Sequence, residues 1–173
     1  MLTNDWWETY YAKGDPAVNM TGGGQGLGHP SRELLWKYIP EGSSVLDVGC
    51  CNALMLQDAL NKGIDILYVG ADRIPEFIEW CQQRFPDNAF RVSDADDLRD
   101  WDDNSFDIVN SRHVIDHLPH YSQSFVEMYR VAKKRVIITT WQQLLEDDRE
   151  ELKYGCENEG GAWNNHYNRK LME

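Results

Sequence analysis

Val45-Leu46-Asp47-Val48-Gly49-Cys50-Cys51-Asn52-Ala53 is the stretch that decides the fold. Ser44 to Val48 is a short β-branched, apolar run, Gly49 to Asn52 are small, and Ala53 to Leu60 carries an apolar stripe at helical spacing that Lys62-Gly63 closes. The reading is strand, tight turn, helix. In a parallel sheet, ligands bind in the crevice beyond the carboxyl ends of the strands. Small residues in such a turn let a ligand approach the backbone, and the helix start offers unpaired N–H groups to a carboxylate. Many nucleotide-binding folds share this unit, so the chain around it must specify the rest.

Outward from the turn the alternation repeats. Upstream, Ser31 to Ile39 reads as a helix with Ser31 as N-cap, Leu34, Leu35, Tyr38 and Ile39 on one stripe, and Pro40 as its stop. Downstream, Asp65 to Ala71 is a second strand, Pro75 to Phe85 a helix with proline in its first turn, and Ala89 to Val92 a third strand. Ser105 to Ser111 is a fourth strand, Ser122 to Ala132 a helix with Phe125, Met128 and Tyr129 on one face, and Arg135 to Thr140 a fifth strand. Strands apolar on both faces and alternating with helices imply a parallel sheet covered on both sides, an α/β fold. Lys133-Lys134-Arg135 falls between the last helix and the last strand, where cations stabilise helix C-terminal carbonyls.

The chain has 173 residues, 42% of them hydrophobic, enough for one core, so residues 1–173 are expected to form a single domain. Within it, 1–30 is a leader, 31–141 the ligand-binding core, and 142–173 an acidic helix (142–153) followed by a polar tail, with a second helix expected over 164–173. The leader holds Trp6, Trp7, Tyr10 and Tyr11 and the run Gly22-Gly23-Gly24-Gln25-Gly26-Leu27-Gly28. That run lacks the preceding strand and following Lys-Ser or Lys-Thr of a phosphate cradle and reads as a lid. Against 17 basic residues stand 29 acidic ones, a net charge of −12, which disfavours a polyphosphate partner. No apolar stretch approaches the roughly 18 residues of a membrane span, and the amino terminus is aromatic and acidic. Four cysteines without paired spacing suit free thiols in a cytoplasmic protein.

A carboxylate follows the second strand, in Val69-Gly70-Ala71-Asp72-Arg73-Ile74-Pro75-Glu76, about twenty residues past the turn. There it either accepts hydrogen bonds from both hydroxyls of a ribose or caps the next helix. Val92-Ser93-Asp94-Ala95-Asp96-Asp97-Leu98 follows the third strand, and Ser105-Phe106-Asp107-Ile108-Val109-Asn110-Ser111-Arg112-His113-Val114-Ile115-Asp116-His117-Leu118 contains the fourth.

Taken together, these motifs resemble the class I S-adenosylmethionine-dependent methyltransferases, of the methyltransferase type 11 kind. Val-Leu-Asp-Val-Gly-Cys resembles their first motif, Asp94-Ala95 with Leu98 their Asp-Ala-x-x-Leu segment, and Ser105 to Leu118 their Ser-Phe-Asp-x-Val strand and Val-Leu-x-His-Leu sequel. Phe125-Val126-Glu127-Met128-Tyr129-Arg130-Val131-Ala132-Lys133 is similar to their Leu-x-Glu-x-x-Arg-Val-Leu-Lys helix. The resemblance implies a Rossmann-like doubly wound sheet of order 3-2-1-4-5, S-adenosyl-L-methionine as cofactor, and methyl transfer to a small-molecule acceptor. It also implies site roles: Asp47, Gly49, Cys50 and Cys51 with Ser111 and Arg112 around the methionine end, Asp72 on the ribose, Arg73 and Ile74 beside the adenine, and Asp94 and Ala95 at the adenine edge. His113 is the candidate acid or base, with Trp141, Trp163 and His166 the other candidates for the acceptor side.

Where glycines are usual in the first motif, this chain has Cys51 and Ala53, and the Cys51 sulfur is expected to project toward the methionine end. The family also adds an antiparallel hairpin after strand five, which the tail does not show. The chain is therefore read either as a fragment or as a domain whose exposed sheet edge pairs with another subunit in a homodimer. These departures keep open a catalytically silent module that binds S-adenosylmethionine or S-adenosylhomocysteine. Three further alternatives stand beside it. Cys50-Cys51 could be a redox or soft-metal pair, His113 and His117 could lie on one helical face as zinc ligands, and the turn could serve a nicotinamide, although it lacks Gly-x-Gly-x-x-Gly.

Overall fold

The computed structural model describes residues 30–118, 121–140, 149–153 and 162–166. Residues 1–29 of the expected leader, with the glycine run read as a lid, Trp141 and residues 142–148 of the expected acidic helix lie outside the described residues.

Helix α1 (Pro30–Leu35) leads to β1 (Ser44–Val48), followed by α2 (Leu54–Lys62), β2 (Leu67–Asp72), α3 (Pro75–Arg84), β3 (Ala89–Val92), β4 (Phe106–Arg112), a 3-10 turn (Ile115–His117), α4 (Tyr121–Val131) and β5 (Ala132–Thr139). The five strands form one sheet of order β3-β2-β1-β4-β5, all pairs parallel. This is the doubly wound order that the resemblance implies.

At the central strands both faces of the sheet are buried, because successive side chains there feed opposite cores. Val45 of β1 joins Leu35, Leu56, Ile78 and Phe90 in the core beneath α1, α2 and α3. Its neighbours Leu46 and Val48 join Val109, Met128 and Val131 in the core beneath α4. Helix α2 ends on Gly63, at φ 65, whose left-handed backbone accommodates the close that Lys62-Gly63 predicts. Helix α3 starts on Pro75, where the fixed φ suits the first turn.

Three expectations are corrected. Helix α1 stops at Leu35, and Trp36 to Tyr38 continue as turns rather than as helix to Ile39. Strand β5 begins at Ala132, directly after α4, so Lys133, Lys134 and Arg135 are strand residues and not a helix cap. Lys134 instead pairs with Asp107 at 2.8 Å, and Arg135 donates to the Tyr38 carbonyl at 2.6 Å. Residues expected in tail helices form β6 (Arg149–Lys153) and β7 (Ala162–His166), a separate antiparallel pair in which β7 packs against the 3-10 turn. This pair does not extend the five-stranded sheet, whose β5 edge carries no further strand among the described residues.

No described helix is long and apolar enough to cross a membrane.

Candidate cofactor site at the carboxyl edge of the sheet

Parallel pairing sets Val48 beside Ala71 on one side and Ser111 on the other. The segments that follow β1, β2 and β4 therefore meet at one end of the sheet, where the motif residues were expected to converge.

Gly49 and Cys50 both donate their N–H to the Ala71 carbonyl, at 2.8 and 2.9 Å, which folds the turn over β2. Along the turn, left-handed backbone recurs at alternate residues: Gly49 at φ 74, Cys51 at φ 50 and Ala53 at φ 55. The glycine-like conformation is thus retained with a Cβ at two of its three positions. Each such residue bears a strain of about 1 kcal/mol or more. At Gly49 no Cβ is possible without movement, since it would lie 2.2 Å from Cγ2 of Val114.

Asp72 closes the arrangement. One carboxylate oxygen accepts the Cys51 N–H at 2.8 Å and the other the Ile74 N–H at 3.0 Å. The side chain is buried, and burial raises its pKa to about 6 against the lowering pull of those two N–H groups. Through these two bonds Asp72 joins the residue that precedes α3 to the turn, although it does not cap the helix itself. Each oxygen retains a second lone pair for a ligand hydroxyl.

Asp47 is engaged differently. It accepts the Tyr68 hydroxyl at 2.8 Å and the Asn110 amide at 2.6 Å, so both oxygens serve the floor beneath the turn. Burial pushes its carboxyl upward in pKa, with Asn110, Tyr68, Arg32 and Arg112 opposing. Asn110 was the missed partner. A polar residue within an otherwise apolar, doubly buried strand is a signal that could have found it. Arg32, almost wholly buried on α1, was missed as well and carries no comparable local signal.

The vicinal cysteines part company. Cys50 is buried in the apolar core, its sulfur 3.0 Å from where a Cβ on Gly70 would lie. Cys51 is half-buried, its carbonyl accepts the Cys81 thiol at 3.3 Å, and burial pushes its own thiol well up in pKa. Such thiols are poor nucleophiles, which removes support from the redox pair. Cys50, Cys51 and Cys81 are free thiols.

Ser111, one residue before the end of β4, is fully buried, with a hydroxyl that finds no hydrogen-bond partner among the described residues. Arg112 is half-buried, its pKa lowered to about 10 by burial and by the nearby Arg32 cation. His113 takes left-handed φ 58, with its N–H on the Thr139 carbonyl at 2.7 Å. Because His113 precedes the 3-10 turn that contains His117, the two histidines do not share an α-helical face. Among the described residues no cluster of three His, Cys, Asp or Glu side chains is arranged to hold a metal ion.

At the other flank, Ser93 donates its N–H to the Asp72 carbonyl at 2.9 Å, bringing the segment after β3 to the same edge. Asp94 accepts the Asp96 N–H at 3.1 Å and lies 3.9 Å from Nε of Arg73. Ala95 is buried in the core beneath α4, and Ile74 is buried at the start of α3. Trp163 and His166 belong to β7, where only the backbone is described.

A search of curated proteins by sequence finds no match. Solved structures share the fold. The YcgJ protein of Bacillus subtilis is 22% identical, with a TM-score of 0.55 over 62% of this chain and 49% of that one. Phosphoethanolamine N-methyltransferase 2 of Haemonchus contortus, solved with S-adenosyl-L-methionine, is 20% identical, with a TM-score of 0.56 over 78% of this chain and 31% of that one. A Rhodobacter sphaeroides protein described as a candidate Zn-dependent alcohol dehydrogenase reaches a TM-score of 0.64 at 14% identity, over 84% of this chain and 59% of that one. The chain spans 31–59% of the length of these structures, and at these identities the likeness establishes the fold alone. The sequence adds the family, because residues 46–139, more than half of the chain, match the family described as methyltransferase domain. On that match, and with the sheet order and motif placement in accord, the chain belongs to the methyltransferase domain family.

Proposed function

We propose that this protein binds S-adenosyl-L-methionine across the carboxyl edge of its sheet and transfers the methyl group to a small-molecule acceptor. The observation that carries the reading is the position of Asp72, a buried carboxylate joined to the left-handed turn through the Cys51 N–H. A carboxylate there suits a vicinal diol, and the turn beside it leaves backbone for an amino-acid moiety.

In this reading Asp72 holds the ribose hydroxyls, Arg73 and Ile74 flank the adenine, and Asp94 with the N–H of Ala95 meets its edge. The turn Gly49 to Cys51, with Ser111 and Arg112 opposite, surrounds the methionine part. Asp47 and Cys50 act from below, by shaping the floor. When bound, the sulfonium cofactor supplies an electrophilic methyl group. The protein's task is then to align an acceptor in line with it, and to take a proton where the acceptor must lose one. His113, held by its bond to Thr139 at the end of β4, is the group we assign to that proton.

The net charge of −12 favours a small acceptor over nucleic acid. Free thiols at Cys50, Cys51 and Cys81 suit the reducing cytoplasm, where we place the protein. The outer edge of β5 is where we expect a second copy to pair.

A second reading rests on Cys51 and Ala53, whose Cβ atoms occupy left-handed positions of the turn. Under it the domain binds the nucleoside but is catalytically silent. Titration calorimetry with S-adenosylmethionine, S-adenosylhomocysteine and NAD tests the first step, and binding of NAD alone would overturn both readings. A methyl-acceptor screen with labelled cofactor then separates enzyme from silent module.

A further inference from the structure

The segment between β3 and β4 is strongly acidic, with Asp94, Asp96, Asp97, Asp100, Asp102 and Asp103 within ten positions. Mutual repulsion favours its spreading into solvent. Arg73, Arg91 and Arg99 pair with Asp94, Asp100 and Asp97, and helix α4 holds the backbone of the segment. Glu127 of α4 accepts the Leu98 N–H at 2.9 Å, and Nη2 of Arg130 donates to the Leu98 carbonyl at 2.9 Å. Leu98 is therefore clamped through both of its backbone groups, with its side chain fully buried. The same guanidinium donates through Nη1 to the Trp101 carbonyl at 2.8 Å and to Asp103 at 3.0 Å. Its Nε returns to Glu127 at 3.0 Å. Ser124, one turn earlier, donates to Asp96, and the Asn104 N–H meets the Arg130 carbonyl at 2.9 Å.

We propose that Glu127 and Arg130 are positioning residues, which set the Asp94–Leu98 segment against Asp72 and so determine how well the site selects adenine over other purines. The inference rests on the cofactor reading above. Its basis is a short mechanical path. Asp94 lies four residues from the clamped Leu98, and Ser93 is pinned to the Asp72 carbonyl, so the segment is fixed at both ends. Hydrogen bonds to a base edge lose most of their worth when donor and acceptor shift out of line. The pair is also poorly replaced, because a lysine at 130 keeps the charge but cannot span Leu98, Trp101 and Glu127 at once.

The test compares wild type, Glu127→Gln and Arg130→Lys by calorimetry with two ligands. One is S-adenosylhomocysteine, and the other is S-inosylhomocysteine, in which the adenine amino group is replaced by a carbonyl. Wild type is expected to prefer the adenine compound. In each variant that affinity should fall about tenfold, and the preference should shrink toward parity, the scale of one lost hydrogen bond. A merely structural role would lower the melting temperature and leave the ratio of the two dissociation constants unchanged. Variants that remain folded and keep the wild-type ratio overturn the proposal while leaving the cofactor reading intact. Failure of wild type to bind either compound overturns both. Should Arg130→Lys not fold, Glu127→Gln decides alone, since it keeps the side-chain shape while it removes the charge and turns one of the two acceptor oxygens into an NH2 donor.

Discussion

Asp72 and Cys51 are twenty-one positions apart in the chain, yet the carboxylate of one accepts the backbone N–H of the other at 2.8 Å. This bond fastens the turn after β1 to the end of β2, so the group assigned to the ribose also sets the turn assigned to the methionine part. The second oxygen, on Ile74, ties the start of α3 into the same junction.

Replacing Asp72 by Asn tests that junction. The amide has one acceptor where the carboxylate has two, so either the Cys51 or the Ile74 N–H would face an NH2 group instead of an oxygen. A buried donor left unpaired costs about 1–3 kcal/mol, and that loss of stability is expected in urea unfolding. S-adenosylhomocysteine affinity should fall at least tenfold. An Asp72→Asn protein that binds as tightly as wild type removes the carboxylate from the site.

The same carboxyl sets a pH dependence. Burial lifts it to about 6, with Asp47 adding to the lift. Between the ordinary aspartate value near 4 and about 6, the folded state holds the proton and the unfolded chain does not. Stability from this group is therefore fully present below about pH 4 and is lost as pH rises through 6. Cofactor binding runs the other way, because the ionised form is the better acceptor for ribose hydroxyls. Affinity for S-adenosylhomocysteine should rise about tenfold from pH 5 to pH 7 and stay flat in Asp72→Asn. Asp107, held down at about 2 by Lys134 and Ser44, titrates below this window. Equal pH slopes in the two proteins would dismiss the assignment.

The strands and their helices were legible because each central strand is apolar on both faces, a pattern that local sequence carries. The junction was legible in part, since the spacing from turn to acid put Asp72 at the end of the strand beside the turn but did not reveal that it would bond the Cys51 N–H. What failed was long-range. The Glu-rich segment at 149–153 favours helix by propensity, and its pairing with 162–166 depends on residues well beyond any local window. Likewise, strand alternation buries Asp47, but only the sheet register brings Asn110 and Tyr68 to it. The cations at 133–135 were misplaced because α4 passes into β5 without a loop, and nothing in Ala132-Lys133-Lys134 marks that boundary.

Gly49 and Val114 should show strong coupling. A methyl at Gly49 would enter 2.2 Å from Cγ2 of Val114, on backbone at φ 74. Gly49→Ala is expected to lose about 2–4 kcal/mol, from the clash and the left-handed strain together. Val114→Ala removes the clashing methyl but not the strain, so the double variant should recover at least about 1 kcal/mol relative to the sum of the singles. Strict additivity in urea unfolding would mean that the segment after β4 does not pack on the turn.

Cys51 offers the sharpest test of the turn, because its substitutions separate backbone from side chain. At φ 50, a residue with a Cβ bears about 1–2 kcal/mol of strain, which glycine relieves. Glycine also loosens the unfolded chain, at a cost of about 0.4–1 kcal/mol, and gives up the partial burial of the thiol. These effects oppose one another, so Cys51→Gly should unfold within about 1 kcal/mol of wild type. It should also bind S-adenosylhomocysteine more tightly, since on the proposed reading the Cys51 sulfur borders the methionine end and glycine removes it. Valine inverts the balance. A β-branched residue is a poor occupant of left-handed backbone, and Cys51→Val should lose at least about 2 kcal/mol and weaken binding. Urea unfolding and calorimetry on the two variants decide the matter. Equal stability of valine and glycine at this position would show that the turn is not held in the left-handed conformation, and the room assigned to the amino-acid part of the cofactor would go with it.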